Sequence, residues 1–224
     1  MRRAGGNQVI PRPTAWRPGP PAPWESSRAS LPPIDVATIA EVLRARGPGK
    51  APAMELEDAR HSAVLVPLYD GPDGAEVLLT RRSQALRNHR GEVSFPGGRM
   101  DPGETPLQAA LREAHEEVAL DPSLPHVLGE LDHLSTVASR SRIVPIVASL
   151  PGRPEVHPSN SEVARVLFVP LADLLTPGTY REELWGSPPL DRSITFFELD
   201  DETIWGATAH MLAQLLGLAL GIEA

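Results

Sequence analysis

The chain has 224 residues, with 21 lysines and arginines against 29 aspartates and glutamates and a formal net charge of −8. It contains no cysteine, which excludes disulfides and thiol chemistry, and its acidic balance argues against general binding of nucleic acid, where a basic face is needed. There is no run of 18 apolar residues and no apolar core of a secretory signal, so the expectation is a cytoplasmic protein with no membrane partner, long enough for one well-buried domain with extensions.

Residues 1 to 33 hold eight prolines and few aliphatics, a composition that predicts a mobile tail or an extended arm. Trp16 and Trp24 stand out there, since aromatics in such a segment can pin it to its own domain or to a neighbouring subunit. Residues 34 to 224 are expected to form a single domain. It opens with an amphipathic helix over residues 35 to 46, capped by Asp35 and stopped by Gly47-Pro48-Gly49. Residues 61 to 70 and 75 to 82 flank Gly71-Pro72-Asp73-Gly74 and predict two strands joined as a hairpin.

Arg81, Arg82, Arg87, His89 and Arg90 then concentrate positive charge in an otherwise acidic chain. Arginine forks suit phosphate oxygens, so the set reads as an anion site. Taken singly, each arginine reads equally well as a surface charge or a partner for a carboxylate, and His89 as a hydrogen-bonded loop histidine.

A glycine- and proline-rich loop at residues 91 to 104 leads into a helix. Thr105, Pro106 and Gln108 supply an N-cap, a proline at the first helical position and a capping-box partner, so the helix is predicted to begin at residue 106. At roughly 100° per residue, Leu107, Leu111, Ala114 and Val118 form an apolar stripe, and Glu113, Glu116 and Glu117 fall on the opposite side. Three like charges at that spacing oppose the helix by roughly 0.2 to 0.5 kcal/mol per pair, so something must compensate them. Arg112 and other nearby arginines would do so on a solvated face. A divalent cation held against phosphate would do so in a site.

Further strands are predicted at 126 to 137, 142 to 150 and 163 to 169, two short ones near 193 to 205, and a closing helix over about 206 to 219. This mixed order fits helices on both sides of a mixed sheet.

Gly98, five residues, Glu104, seven residues, then Arg112-Glu113, an apolar position, any residue and Glu116-Glu117 resembles the Nudix box, G-x5-E-x7-R-E-U-x-E-E-x-G-U. The departure is Ala119, where the family has glycine; an alanine there either avoids positive φ or accepts about 1 kcal/mol of strain. The resemblance implies an α/β fold, a Nudix-type α/β/α sandwich around a mixed β-sheet. It implies Glu113, Glu116 and Glu117 as catalytic, metal-binding carboxylates, the backbone carbonyl of Gly97 as a further ligand, and Mg²⁺ or Mn²⁺ as the cofactor. Glu104 and Arg112 look like the family's internal ion pair. Residues 160 to 175 also resemble the family, and make Glu162 the candidate fourth carboxylate or general base.

Residues 78 to 98 resemble the signature of the coenzyme A pyrophosphatase branch, L-L-T-x-R-S-x3-R-x3-G-x3-F-P-G-G, matched without a gap from Leu78 to Gly98. That likeness implies a small-molecule nucleoside diphosphate substrate, coenzyme A or an acyl derivative, cut by water to 3′,5′-ADP and 4′-phosphopantetheine. Arg81, Arg82, Arg87, His89 and Arg90 would then bind the substrate. Two other readings stay open: a Nudix pyrophosphatase acting on NADH, ADP-ribose or a similar compound, and a catalytically silent nucleotide-sensing module. Dimers are common among Nudix proteins, so a homodimer is the assembly the resemblance suggests, although no isologous patch is visible.

Overall fold

The structure, a computed structural model, describes residues 8–52, 56–86, 88–136 and 140–222. In chain order the elements are β1 (Trp16–Pro18), α1 (Val36–Arg46), β2 (Arg60–Gly71), β3 (Gly74–Arg82), β4 (Val93–Ser94), β5 (Gly97–Arg99), α2 (Pro106–Val118), β6 (His126–Glu130), β7 (Leu134–Thr136), β8 (Ser141–Ser149), β9 (Val163–Pro170), α3 (Leu171–Leu174), β10 (Tyr180–Trp185), β11 (Arg192–Glu198), β12 (Thr203–Trp205) and α4 (Gly206–Ala219).

The central sheet is mixed, as expected. Its spine runs β4-β3-β2-β8-β6, with β5 added to β2, β7 to β8 and β9 to β3. Strands β2 and β8 are parallel from Arg60↔Ser141 to Leu68↔Ser149, and the other pairings are antiparallel. Parallel neighbours need a long crossover, and the segment between β2 and β8 carries α2 onto one face of the sheet. The period-2 alternation of strands sorts the core into two layers. Ala63, Leu65, Leu78, Val144, Ile146 and Ala148 meet Ala109, Ala110, Ala114 and Val118 of α2. On the opposite face Val66, Leu68, Val77, Leu79 and Val147 meet Ile39 and Leu43 of α1 and Met211, Leu212, Leu215 and Leu216 of α4. The Nudix-type α/β/α arrangement around a mixed sheet is therefore the observed architecture.

Sequence reasoning did not anticipate a second, antiparallel sheet, ordered β1-β10-β11-β12. Strand β10 reads as a charged stretch, Tyr180-Arg181-Glu182-Glu183, because its charges are paired within the fold. Arg181 Nε donates to Glu198 Oε1 at 2.8 Å, Arg12 Nε to Glu183 Oε2 at 2.9 Å, and Tyr180 Oη to Glu182 Oε2 at 2.8 Å. The N-terminal segment lies along this sheet, with Trp16 opposite Trp185. Trp24 is fully buried, stacked on Phe197 at 6.3 Å and edge-on to Tyr180 at 5.3 Å.

The strand expected over 126 to 137 is two strands, and residue 137 lies outside the described residues. The break falls opposite Pro145 of β8, which has no N–H to offer the ladder. Asp132 turns out of the sheet instead and accepts from the Lys50 amide at 2.7 Å, while its own amide donates to Gln214 Oε1 at 3.0 Å. Among the described residues no helix is long and apolar enough to cross a membrane.

Candidate active site

Helix α2 begins where the capping box places it. The Gln108 amide donates to Thr105 Oγ1 at 3.3 Å, and the Thr105 amide donates to Gln108 Oε1 at 2.9 Å. Its buried face differs from the expected stripe: Leu107 and Leu111 are only partly buried, and the closest approach to the sheet is made by Ala109, Ala110, Ala114, Val118 and Glu117. Seven residues separate Ala110 from Glu117, about two turns, so they share a line on the helix. Glu117, expected on the side opposite the apolar stripe, is instead 3% exposed. The physical reason is size, because alanines let the helix approach the sheet more closely than leucines would.

Two glycines complete that approach. A Cβ on Gly97 would stand 2.5 Å from the Ala63 carbonyl oxygen, and one on Gly98 would stand 2.4 Å from Glu113 Oε1. At Gly97 the clash is with backbone, so only glycine lets β5 lie against β2, and at Gly98 a side chain would displace the Glu113 carboxylate. The Gly97 amide donates to Glu117 Oε2 at 3.3 Å.

Arg112 is the hub of the exposed side. It grips Glu104 through two bonds, Nε to Oε1 at 2.8 Å and Nη2 to Oε2 at 3.0 Å, and reaches Glu113 at 3.0 Å and Glu116 at 3.3 Å through Nη1. The same Nη2 donates to the Arg99 carbonyl at 3.0 Å, tying loop to helix. Hydrogen bonding to Arg112, with the Asp101 amide, holds Glu104 down at about 2. Glu113 is pushed up by burial, opposed by Arg112. Glu117 is pushed up to about 7, chiefly by burial, with Arg82 and the Gly97 amide pulling it back and Glu113 and Glu162 adding repulsion.

Glu162 arrives at this cluster through tertiary contacts. The Ser159 amide donates to the Glu117 carbonyl at 2.9 Å and the His157 amide to the Val118 carbonyl at 3.1 Å, so the loop before β9 caps the end of α2. The Ser83 amide then donates to the Glu162 carbonyl at 2.7 Å. The β3–β9 ladder shifts register here, with Arg81 opposite Arg165 and Arg82 opposite Val163, leaving Ala164 as an extra residue. Such a bulge re-aims the side chains around it. Arg82 spans the two acids, with Nη2 3.0 Å from Glu162 Oε2 and Nη1 3.7 Å from Glu117 Oε1. Its Nε is buried and has no partner among the described residues.

The other basic residues are dispersed. Arg81 points to the opposite face and meets Glu202 Oε1 at 3.0 Å. His89, at φ 53°, pairs through Nδ1 with Glu92 at 2.9 Å, an interaction that raises its pKa. Arg90 is exposed. Arg87 lies outside the described residues. Sequence reasoning missed Glu202, which is buried and faces both Arg81 and Arg165. It stands in the acidic run Asp200-Asp201-Glu202, and no spacing signal separates it from an ordinary turn.

The donor set suits a hard divalent cation: oxygen ligands, a buried and under-compensated carboxylate at Glu117, and glycines that leave room beside Glu113. The fit is chemical and is not preformed geometry, since no three acidic or histidine side chains among the described residues gather into a metal cluster. Glu113 and Glu116 each turn an oxygen to Arg112 instead.

The NUDIX domain family matches residues 59–187, and the chain belongs to the Nudix family. Nudix hydrolase NudL of Yersinia enterocolitica, itself uncharacterised, is 37% identical over 159 residues, covering 70% of this chain and 80% of that one. The NudL of Yersinia pestis strain Pestoides F is 36% identical over 157 residues, covering 70% and 78%. Among solved structures, the Nudix hydrolase RenU of M. smegmatis is 26% identical and aligns with a TM-score of 0.45 over 54% of this chain and 78% of its own. Nudix pyrophosphohydrolase chemistry follows from the membership; such enzymes generally need divalent cations and act on small nucleoside diphosphate compounds.

Proposed function

We propose that the chain hydrolyses the diphosphate of coenzyme A or acyl-coenzyme A to 3′,5′-ADP and (acyl-)4′-phosphopantetheine. The supporting observation is Arg82: this arginine of the upstream signature has its guanidinium between Glu117 and Glu162.

On this reading Glu113, Glu116, Glu117 and the Gly97 carbonyl hold Mg²⁺ or Mn²⁺, which would acidify water and neutralise phosphate charge. Glu162 receives the proton of the attacking water. The water oxygen bonds to one phosphorus, the bridging P–O bond breaks, and the second half leaves as a phosphate monoester. Arg82 anchors Glu162 and presents its fork to the diphosphate, and Arg87, His89 and Arg90 serve the substrate's remaining anionic groups, whereas Arg81 is turned to Glu202 on the opposite face. Glu104 and Arg112 brace the loop and touch no reacting atom.

Product analysis by chromatography tests the proposal, with coenzyme A, NADH and ADP-ribose incubated in parallel, with Mg²⁺ or Mn²⁺ and with chelator. The expected result is metal-dependent release of 3′,5′-ADP from coenzyme A well ahead of the other cleavages. Preferential cleavage of NADH or ADP-ribose would leave the hydrolase standing and overturn the substrate.

A further inference from the structure

The pairing of β3 with β4 sets Arg81 opposite Val93. It continues one residue further, where the Arg82 amide donates to the Glu92 carbonyl at 2.9 Å and the Gly91 amide to the Arg82 carbonyl at 3.1 Å. Arg82 and Glu92 are therefore cross-strand neighbours, and such neighbours stand on the same face. For Arg82 that is the face of Glu117 and Glu162, to which its guanidinium turns. Glu92 is left to another cation: its Oε2 lies 2.9 Å from His89 Nδ1.

The turn between Ser83 and Glu92 is built to hold that pair. Its root is fixed to the carboxylate cluster by the backbone bond from Ser83 to Glu162. At its far end the Glu92 amide donates to the His89 carbonyl at 3.3 Å, with His89 at φ 53° and Gly91 at φ 69°. A non-glycine residue in the left-handed region is strained and persists only where its surroundings fix it. A Cβ on Gly91 would run into the Gln84 amide, so the turn folds tightly on itself. An imidazole that gives Nδ1–H to a carboxylate keeps Nε2 for another partner. The hydrogen bond to Glu92 raises the pKa of His89, opposed by burial and by the Arg82 guanidinium, and Glu92 from its own turn and Arg82 from β3 are the charged groups that act on the ring. His89 is half-exposed, beside Arg82 at the edge of the cluster.

We propose that Glu92 is a positioning residue: it holds His89 through Nδ1 so that Nε2 donates to a phosphate oxygen of the substrate beside Arg82. The proposal rests on the function proposed above and names the residue that makes His89 a phosphate donor.

Steady-state kinetics on coenzyme A with Mg²⁺, run on the full chain across neutral pH, test it. Glu92→Gln keeps the shape and removes the charge. At pH 7.5 KM is expected to rise about tenfold, as for the loss of one charge-assisted hydrogen bond, while kcat falls less than about threefold. In the unaltered chain KM should climb as pH rises through the titration of His89, because the ring is charged below its raised pKa and neutral above it. Glu92→Gln should move that climb to lower pH, and Glu92→Asp should restore it in part. Any dependence from the substrate's own phosphates is common to all variants. In a His89→Ala background the effect of Glu92→Gln should vanish, a result that general loosening of the turn would not produce. A KM shift that persists without His89, or no shift at all, overturns the positioning role. The His89 ring signals in an NMR titration give a reading independent of turnover, and a pKa unmoved by Glu92→Gln also overturns it. Should Glu92→Gln fail to fold, His89→Ala decides alone, and an unchanged KM in it is decisive against the proposal. If coenzyme A is cut with a KM indifferent to both residues, this inference falls and the hydrolase stands; if coenzyme A is not cut by the unaltered chain, the failure lies in the proposed function.

Discussion

Arg82 Nη1 stands 3.7 Å from Oε1 of Glu117, a carboxylate 3% exposed on the buried face of its helix. That distance is too long for a hydrogen bond and close enough for partial charge compensation. A buried acid so incompletely paired is costly when charged, and the cation proposed for this site would offset that cost.

Glu117→Gln should therefore separate stability from activity. In chelator at pH 8 the substitution removes a buried charge and raises stability by about 1–3 kcal/mol, seen as a higher Tm. With Mg²⁺ or Mn²⁺ and substrate, turnover should fall by orders of magnitude. A lower Tm in chelator would show that Glu117 is satisfied as it stands and has no unmet need for a cation.

The same group predicts a pH dependence of opposite sign to the usual carboxylate. With a folded value of about 7 against an ordinary 4.5, Glu117 binds more protons folded than unfolded across that window. Its contribution to stability is full below about 4.5 and is lost as pH rises through 7, an upper bound of about 3 kcal/mol. Glu104, held at about 2, acts in the other direction and only below about 4.5, so the windows do not overlap. Urea titrations of the metal-free chain at pH 5 and 7.5 should show the loss, and Glu117→Gln should reduce it.

Ala119 sits at the end of α2 in the left-handed region, φ 57° and ψ 28°. Its amide donates to the Ala114 and His115 carbonyls, so the cap is formed despite the methyl group. Ala119→Gly should relieve about 0.5–1 kcal/mol of strain, part of it offset by unfolded-state entropy. A clear drop in denaturant midpoint would contradict the left-handed cap.

Trp24→Ala should cost about 3–5 kcal/mol, because a fully buried ring stacked on Phe197 and edge-on to Tyr180 leaves a cavity when removed. Chemical denaturation measures it. A change under 1 kcal/mol would mean that the arm does not hold its docked position in solution.

By itself the sequence determined what local rules govern. Thr105, Pro106 and Gln108 specify the start of α2 whatever packs on it, and Asp35 specifies the start of α1, its side chain accepting from the Thr38 amide at 2.7 Å. The Gly71–Gly74 hairpin and the spacing from Gly98 to Glu117 are equally local, and with them came the family and the sheet's mixed character. Tertiary structure alone decided which side of α2 faces the sheet, because that depends on how closely alanines approach Gly97 and Gly98 rather than on where the largest apolar residues recur. It alone decided that Arg82 and not Arg81 joins the carboxylates, since the two-residue period of β3 sends neighbouring arginines to opposite faces and the bulge at Ala164 brings Glu162 to meet Arg82. It also decided the places of Glu162, Glu202 and Trp24, whose partners lie far along the chain. Short-range pattern carries no record of such pairings, because they are made by packing and not by the chain's own turns.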